Sequence, residues 1–208
     1  IKEPVQGLFT QGMVCQNTYK NKKGDWIFPV DVMLEKGKIL DKNSGEEVFE
    51  GPSESISKSK KNVIDPETVI RLYWADSVRW FMLSDSPPER DIQWSDEGIS
   101  GSYKFVQKIW SISETINNLD PKKKMNDETK NILDKSINKL IKDVTLAIES
   151  FHFNVAVAKF YEFINILSKI LHDKNEDKVY LQRLFAKFLT LICPFIPHIA
   201  SECLEKIN

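Results

Sequence analysis

The chain has 208 residues, 41% of them hydrophobic, so it is long enough to build a buried core in one large or two small domains. Lysine and arginine together number 29 and aspartate and glutamate 30, for a net charge of −1. This balance excludes a general positive field that would attract nucleic acid, so any contact with RNA must come from local groups of lysines.

Cysteine usage and hydropathy indicate a cytoplasmic protein. Cys15, Cys193 and Cys203 lie far apart and form no CxxC pair, which favours reduced thiols over a disulfide framework or a zinc site. The most apolar stretch, FLTLICPFIPHIA, contains two prolines and is shorter than the roughly 18 to 20 residues that a membrane span needs. We therefore expect no membrane helix, no signal peptide and no metal site.

Because the chain starts at Ile1 and stops inside an amphipathic run, we interpret it as a piece of a longer protein.

The first part of the chain predicts β-structure followed by short helices. Within residues 11–50 the apolar runs GMVCQNTYK and WIFPVDVML, with the turn-like stretches EKGKI and KNSGEE, indicate a small sheet or hairpins. A loop rich in serine and lysine, with little apolar sequence to anchor it, is predicted from Ser53 to Lys60. Asp65 and Pro66 then predict a helix start, because aspartate caps well and proline needs no N–H at the first helical position. A second short helix is predicted near Asp76.

The rest of the chain predicts a bundle of amphipathic helices. The stretch SDSPPERDIQW interrupts the helical pattern, and Ser95 is expected to cap a long helix. Apolar residues recur every three or four positions in four stripes joined by short polar connections, which is typical of an antiparallel helical bundle. The stripes are Phe105, Ile109, Ile112, Ile116 and Leu119; Leu133, Ile137, Leu140, Val144 and Ile148; Val157, Phe160, Ile164, Leu167 and Leu171; and Leu181, Leu184, Phe188 and Ile192. The predicted fold class is mainly α with a small β-containing N-terminal part.

Histidines and tryptophans are assigned structural roles. His198 lies beside prolines on an apolar face, which favours a core or capping position. His152 is expected at a turn between helices, and His172 at the end of a helix, where a cation suits the helix dipole. Four tryptophans near helix faces are expected to pack rather than to stack on nucleotide bases: Trp74, Trp80, Trp94 and Trp110.

The serine- and lysine-rich loop has the composition of a phosphate-contacting segment. Lys58, Lys60 and Lys61 place ammonium groups beside serine hydroxyls, and lysine can follow phosphate charge as it develops during a reaction. A solvated surface loop has the same composition, so composition alone does not separate these two interpretations.

Longer motifs favour a phosphate-contacting loop over a solvated surface loop. The sequence SISKSKKN resembles the KMSKS loop of class I aminoacyl-tRNA synthetases, and the stretch from VIDPETVIRLYWADSVRWF to GSYKFVQKIW resembles the leucyl-tRNA synthetase family. The pattern SKSxxNxxDP, then YxADxxRxxxxxxSPPxxDxxW, then GxxGxxxF, carries this likeness. Upstream, TQGMV resembles the strand that enters the second half of the nucleotide-binding catalytic fold. Downstream, CPFIPHIASECL resembles the end of the anticodon-binding bundle, so the likeness covers nearly the whole chain.

The loop departs from the family pattern at its start. Ser55 and Ile56 stand where the family has Lys and Met, and Lys104 replaces the usual Arg. We expect Ile56 to preserve an apolar anchor, and Lys60 and Lys61 to compensate for the missing lysine charge.

The resemblance implies a role for each residue of the retained motif core. Lys58 would contact the phosphates of ATP and support adenylate formation, with Ser57 and Ser59 beside it in the ATP-binding loop Ser55–Ser59. ATP with Mg²⁺ would serve the full enzyme, while leucine and most of ATP would bind to regions that precede this chain. The chain alone is therefore expected to be inactive and to bind no cofactor tightly.

The resemblance also implies a domain organisation and a partner. Residues 1–64 would end the catalytic domain, with an insertion at about 20–53 and the loop at 55–59; residues 65–94 would be connecting helices, and residues 95–208 an anticodon-binding-type bundle. The implied partner is leucine tRNA, bound by a monomer through phosphate contacts that do not read the anticodon. The implied tRNA contacts are Lys60, Lys61, Lys104 and Lys108.

Two alternatives stay open. An isoleucyl, valyl or methionyl relative is disfavoured, because those enzymes resemble SKSLGN or SKSRGN at the loop and lack SPPERDIQW. A catalytically silent module that binds tRNA or a protein is supported only by Ser55 in place of lysine.

Overall fold

The computed structural model describes Val5, residues 7–172 and residues 176–207, which group into two compact units. The first unit contains the described residues up to Val69 together with Pro88–Asp96. The second contains Ile70–Pro87 and the described residues from Glu97 onward.

A small mixed sheet is built around β1 (Val14–Lys20) in the first unit. β1 pairs antiparallel with β5 (Phe49–Ser55) and with β2 (Trp26–Ile27), and parallel with β6 (Ile92–Gln93). The predicted β-containing N-terminal part is thereby confirmed. The short strand β6 lies within SDSPPERDIQW, which the sequence had indicated only as a break between helices.

A hairpin precedes β5. Its strands are β3 (Val32–Glu35) and β4 (Lys38–Asp41), which follow a short 3-10 helix at Pro29–Asp31. Lys36 and Gly37 connect the strands with φ angles of 49° and 78°. Two consecutive positive φ angles give a turn whose twist matches that of the strands, so the predicted turn at EKGKI is confirmed.

Strand β5 extends into the predicted loop. The sequence predicts a loop from Ser53, whereas Ser53 and Ser55 are strand residues that pair with Asn17 and Cys15 of β1. Serine-rich sequence carries little strand propensity, and here the backbone pairing with β1 determines the conformation. The irregular loop therefore starts at Ile56.

The first two helices lie close to their predicted positions. α1 (Pro66–Tyr73) begins with the predicted proline, and Asp65 accepts hydrogen bonds from the backbone N–H groups of Glu67 at 3.3 Å and Thr68 at 3.1 Å. The predicted cap is thereby confirmed. α2 (Ala75–Ser84) begins one residue before Asp76.

The C-terminal helices bury the predicted apolar stripes. They are α3 (Asp96–Asn117), α4 (Asp127–Glu149), α5 (Phe153–His172), α6 (Lys178–Ile192) and α7 (Pro197–Ile207). Ile109, Ile137, Ile164 and Leu181 represent the four stripes, and each is at most 1% exposed. Leu119 lies beyond the end of α3 and is only partly buried. The mainly helical fold class is thereby confirmed.

Helix α7 was not predicted as a separate element. Pro197 occupies the first position of α7, where its missing N–H is harmless. Ala200 and Cys203, one turn apart, are fully buried and attach this helix to the core.

Tryptophan packing follows the prediction most clearly at Trp80. Its side chain is fully buried, stacks on Phe105 with ring centroids 4.4 Å apart, and donates its indole N–H to Tyr161 Oη at 3.1 Å. Burial raises the pKa of Tyr161. The partly buried Trp110 packs under Lys206, whose ammonium lies 3.8 Å from the ring centroid.

Two of the three histidine predictions are confirmed. His152 lies at the turn between α4 and α5, and His172 is the last residue of α5. The core or capping role predicted for His198 is wrong, because its side chain is 75% exposed at the start of α7. Asp76 caps this helix instead, since its carboxylate accepts the backbone N–H of Ile199 at 2.7 Å.

The three cysteines are free, and Cys203 is buried, which raises the pKa of its thiol. Among the residues that the structure describes, no helix has the length and hydropathy to cross a membrane. The same residues contain no group of three or more potential metal-ligating side chains.

Candidate functional site

The loop Ile56–Lys61, hereafter the lysine loop, leaves β5 at the edge of the sheet. Ile56 remains attached to β1, because its backbone N–H donates to Val14 O at 3.0 Å, and its side chain is partly buried. Residues 58–61 then form a turn in which Lys61 N–H donates to Lys58 O at 3.3 Å.

Asn62 closes the base of the lysine loop. Its side chain is fully buried, and its Oδ1 accepts the backbone N–H of Ser57 at 2.8 Å. Its Nδ2 lies within hydrogen-bond distance of three strand carbonyls: Gln16 O at 3.2 Å, Glu54 O at 3.1 Å and Ser55 O at 3.3 Å. One side chain thus links the loop to both β1 and β5.

The lysines of the loop differ in their surroundings. Lys60 forms an ion pair with Glu54, and the Lys61 ammonium lies 5.3 Å from the centre of the Phe28 ring. Lys58 is exposed, and its ammonium has no hydrogen-bond or ion-pair partner among the described residues. The positive charge of Lys58 is therefore available to a ligand at the loop surface.

Hydroxyl groups lie on both sides of Lys58. The Oγ atoms of Ser57 and Ser59 are 2.8 Å apart, which is hydrogen-bond distance. Phosphate oxygens accept hydrogen bonds from hydroxyl and ammonium groups. The side chains of Ser57, Lys58 and Ser59 therefore fit a phosphate-bearing ligand. A cavity of about 490 Å³ opens beside the loop, lined by Cys15, Ser53, Glu54, Ser55, Ile56, Ser57, Lys60 and Asp91.

The helical unit presents the second predicted group of cations. Lys104 and Lys108 lie one turn apart on α3. Lys104 is exposed and has no partner within the described ranges, while Lys108 donates to Asn165 Oδ1 at 3.2 Å. The two side chains can contact a polyanion through charge without reading its sequence.

An aromatic group lies in the same unit. Trp74 and Tyr73 both make edge contacts with Tyr103, with ring centroids 5.0 and 5.9 Å apart. Trp74 is nevertheless 47% exposed, so the predicted packing describes only part of its surface. Its φ angle of 67° is unusual for a bulky residue and turns the chain between α1 and α2.

Sequence reasoning missed two residues at the lysine loop. The sequence shows Asn62 only as one position of the motif and indicates no role for Glu54, because their roles depend on strand carbonyls and on a lysine that the fold brings near. The asparagine after SKSKK was the available signal, since a buried amide can satisfy several backbone groups at once.

Comparisons with family models match two regions. A family described as tRNA synthetases class I (I, L, M and V) matches residues 48–95, which include the lysine loop. A family described as the anticodon-binding domain of tRNA ligase matches residues 130–208.

Curated relatives match along the whole chain. Leucine–tRNA ligase from Maricaulis maris is 40% identical over 99% of the chain, and that of Rickettsia bellii is 40% identical over 100% of it. In both cases the chain spans 24% of the relative's length. The resemblance to the leucyl-tRNA synthetase family is thereby confirmed for a segment about a quarter as long as these relatives.

Among solved structures, a LeuRS from Agrobacterium radiobacter, described as a ternary complex with tRNA and LeuAMS, is similar to this chain. It is 26% identical with a TM-score of 0.62, and the match covers 74% of this chain and 20% of that one.

Proposed function

Since the chain is homologous along its length to the leucyl-tRNA synthetases, we propose that it acts as part of such an enzyme. In this role it contributes an ATP-contacting loop and a helical domain that docks tRNA. The observation that carries the proposal is the alignment of 99 to 100% of the chain with leucine–tRNA ligases.

The proposed parent reaction has two steps. Leucine attacks the α-phosphate of ATP to give leucyl-adenylate and pyrophosphate, and the leucyl group then moves to the 3′ end of leucine tRNA with release of AMP. Mg²⁺ would accompany ATP through the nucleotide phosphates. Leucine and most of ATP would be held by parts of the enzyme that lie outside this chain.

Lys58 is the residue proposed to act on ATP. Negative charge builds up on the departing pyrophosphate, and a positioned ammonium group stabilises it more in the transition state than in the ground state. The hydroxyls of Ser57 and Ser59 supply further donors to the same phosphate oxygens. Ser55 brings no charge, and Lys60 is already paired with Glu54, so Lys58 is the main cation of the loop in this proposal.

The domain assignment is likewise proposed. Residues 1–64 would complete the catalytic domain, with the β3–β4 hairpin inside an insertion at about 20–53. Residues 65–94 would connect it to a tRNA-docking bundle at residues 95–208. We place the enzyme in the cytoplasm as a monomer.

The proposed partner is leucine tRNA. Lys104 and Lys108 on α3, with Lys61 of the lysine loop, are proposed to contact its phosphates. Lys60 is proposed to join them by exchanging its ion pair with Glu54 for a phosphate. Such contacts position RNA without reading bases, so the anticodon is not expected to determine binding.

A chimeric enzyme tests the proposal. The matching segment of the Rickettsia bellii leucine–tRNA ligase, which aligns over 208 residues, is replaced by this chain. The expected result is leucylation of leucine tRNA by the chimera, with the unmodified enzyme as reference. A chimera that melts cooperatively and binds tRNA but forms no leucyl-tRNA would contradict the proposal and support the catalytically silent alternative.

A further inference from the structure

Asn62 occupies a position from which one side chain controls the geometry of the lysine loop. It is fully buried between the loop and the sheet, and its amide contacts one backbone N–H and three carbonyls. The carbonyls belong to β1 and β5, and the N–H belongs to Ser57, directly before Lys58. A shift of this amide would therefore move the chain that carries Lys58.

The other contacts of the loop are less constraining. The Lys60–Glu54 ion pair joins two side chains that are 37% and 34% exposed, and such pairs are screened by solvent. The contact between Ser57 and Ser59 lies within the loop and does not attach it to the sheet. The hydrogen bond from Ile56 N–H to Val14 O attaches only the first residue of the loop to the sheet.

The far end of the loop leads directly into Asn62. Lys61 adopts a φ angle of 55°, which is uncommon for a residue with a side chain, and it closes the turn that begins at Lys58. Asn62 follows immediately and fixes the chain direction after this turn. The buried amide thus ties the residue before Lys58 to the residue after Lys61.

We propose that Asn62 is the positioning residue of the lysine loop, and that it acts on leucine activation through Lys58. The inference rests on the proposed function, because Lys58 must contact ATP phosphates for its position to matter. Asn62 itself is buried and takes no part in binding ATP. Its contribution is to hold the Lys58 ammonium in place before the phosphate charge develops, so that little reorganisation is needed in the reaction.

A double-mutant cycle in the chimera tests this role. Leucine-dependent ATP–pyrophosphate exchange is measured for the unmodified chimera, Asn62→Ala, Lys58→Ala and the double variant. A misplaced catalytic group costs about 10²-fold, so Asn62→Ala alone is expected to lower kcat by about that factor with the KM for leucine unchanged. In the Lys58→Ala background, Asn62→Ala should lower kcat by less than about threefold, because the ammonium group that Asn62 positions has already been removed.

Thr18→Val is the matched control. Thr18 is 1% exposed, and its Oγ1 donates to Pro52 O at 3.0 Å, so it joins β1 to β5 without touching the lysine loop. It is expected to lower the melting temperature with no loss of kcat in the folded protein. If Asn62→Ala does not fold, Asn62→Gln enters the cycle, since it keeps both amide groups one methylene further from the backbone.

The outcomes separate the inference from the proposed function. A chimera that folds and binds tRNA but is inactive before any substitution contradicts the proposed function. An active chimera in which the Asn62 and Lys58 effects multiply, or in which the Asn62 variant loses thermal stability but keeps kcat, overturns the positioning role. Effects that do not multiply, with kcat lowered and the KM for leucine retained, support it.

Discussion

Lys58 differs from the neighbouring lysines because its ammonium group has no partner among the described residues. Lys60 is paired with Glu54, and Lys61 lies over the Phe28 ring. An ammonium group that is free in the ground state can give its full interaction to charge that appears only in the transition state. Loss of Lys58 should therefore affect the rate of activation and not the binding of leucine.

We predict that Lys58→Ala in the chimera lowers the rate of leucine activation by about 10²- to 10³-fold, the usual cost of removing one preorganised donor. The KM for leucine should hardly change. Steady-state ATP–pyrophosphate exchange measures both quantities. Lys23→Ala, at an exposed lysine between β1 and β2, is the matched control and should retain full activity. A Lys58→Ala variant with a lowered melting temperature but an unchanged rate would show that the loop serves folding alone.

At the residue scale, candidate site residues follow from the sequence, but the contacts that hold the loop in place do not. The resemblance of SISKSKKN singled out Ser57, Lys58 and Ser59 as site residues, and these remain proposals. The role of Asn62 was not predicted, because its partners are main-chain carbonyls of two strands. One of these carbonyls, Gln16 O, is 46 residues away in the sequence. The asparagine itself is visible in SKSKKN, but the sequence does not show which carbonyls it contacts.

Helix α7 is held by a pair of charged residues on α2. Asp76, which is 3% exposed, accepts the backbone N–H of Ile199 at 2.7 Å and contacts His198 Nδ1 at 2.8 Å. Arg79 donates to the carbonyls of Pro194 at 2.7 Å and Phe195 at 3.1 Å. The carboxylate thus satisfies the N–H groups that open α7, and the guanidinium satisfies carbonyls in the turn that precedes it.

We predict that Asp76→Ala lowers the free energy of unfolding by about 1–3 kcal/mol, because it leaves buried N–H groups of α7 unsatisfied. Chemical denaturation of the purified chain measures the change. Asp85→Ala, at an exposed aspartate at the end of α2, is the control and should stay within about 0.5 kcal/mol of the unmodified chain. Equal losses for the two variants would show that the cap is energetically unimportant.

The start of α6 contains a pH-sensitive cap. Asp177 accepts the backbone N–H of Tyr180 at 3.3 Å and lies 3.0 Å from the Lys130 ammonium. Burial raises the pKa of this carboxyl, but the hydrogen bonds and the positive charge of Lys130 outweigh burial, and the pKa is lowered. A carboxyl with a lowered folded-state pKa stabilises the protein at pH values above its unfolded-state pKa and loses that contribution as the pH falls through the folded-state value.

We predict that acidification below about pH 4, the usual pKa of aspartate, removes this contribution. Asp177→Asn keeps a capping oxygen and lacks the titrating charge, so it should be less stable than the unmodified chain at neutral pH. The difference between the two should shrink as the pH falls. Denaturation curves between neutral pH and pH 2 measure it, and a difference that does not vary with pH would contradict the assignment.

At the element scale, the long helices and the starts of α1 and α2 were predictable, whereas strand β6, the serine-rich end of β5 and helix α7 were not. The stripes of α3 to α6 repeat over several turns, which identifies a helix without any tertiary information. The two-residue strand β6 and the serine-rich end of β5 exist because β1 supplies their backbone partners. α7 was not predicted, because the side chain that caps it is Asp76, 123 residues earlier than Ile199.

The charge balance of the whole molecule limits its affinity for RNA. With a net charge of −1, the chain can bind tRNA only through local lysines such as Lys104 and Lys108. We predict weak binding of leucine tRNA, at about 10⁻⁴ to 10⁻⁶ M near physiological salt, that weakens steeply as salt is added. Titrations of leucine tRNA, an anticodon variant and an unrelated tRNA at two salt concentrations check this prediction. Strong discrimination by anticodon, or tight binding that is independent of salt, would contradict it.

Leucine activation by the chimera is the sharpest test of the proposed function, because this step requires the lysine loop and not the tRNA. The measurement is leucine-dependent ATP–pyrophosphate exchange by the chimera, compared with the unmodified Rickettsia bellii enzyme at equal concentration. We predict exchange within about tenfold of that enzyme, a difference of about 1.4 kcal/mol in the barrier. Exchange at background level in a chimera that folds and binds tRNA would contradict it.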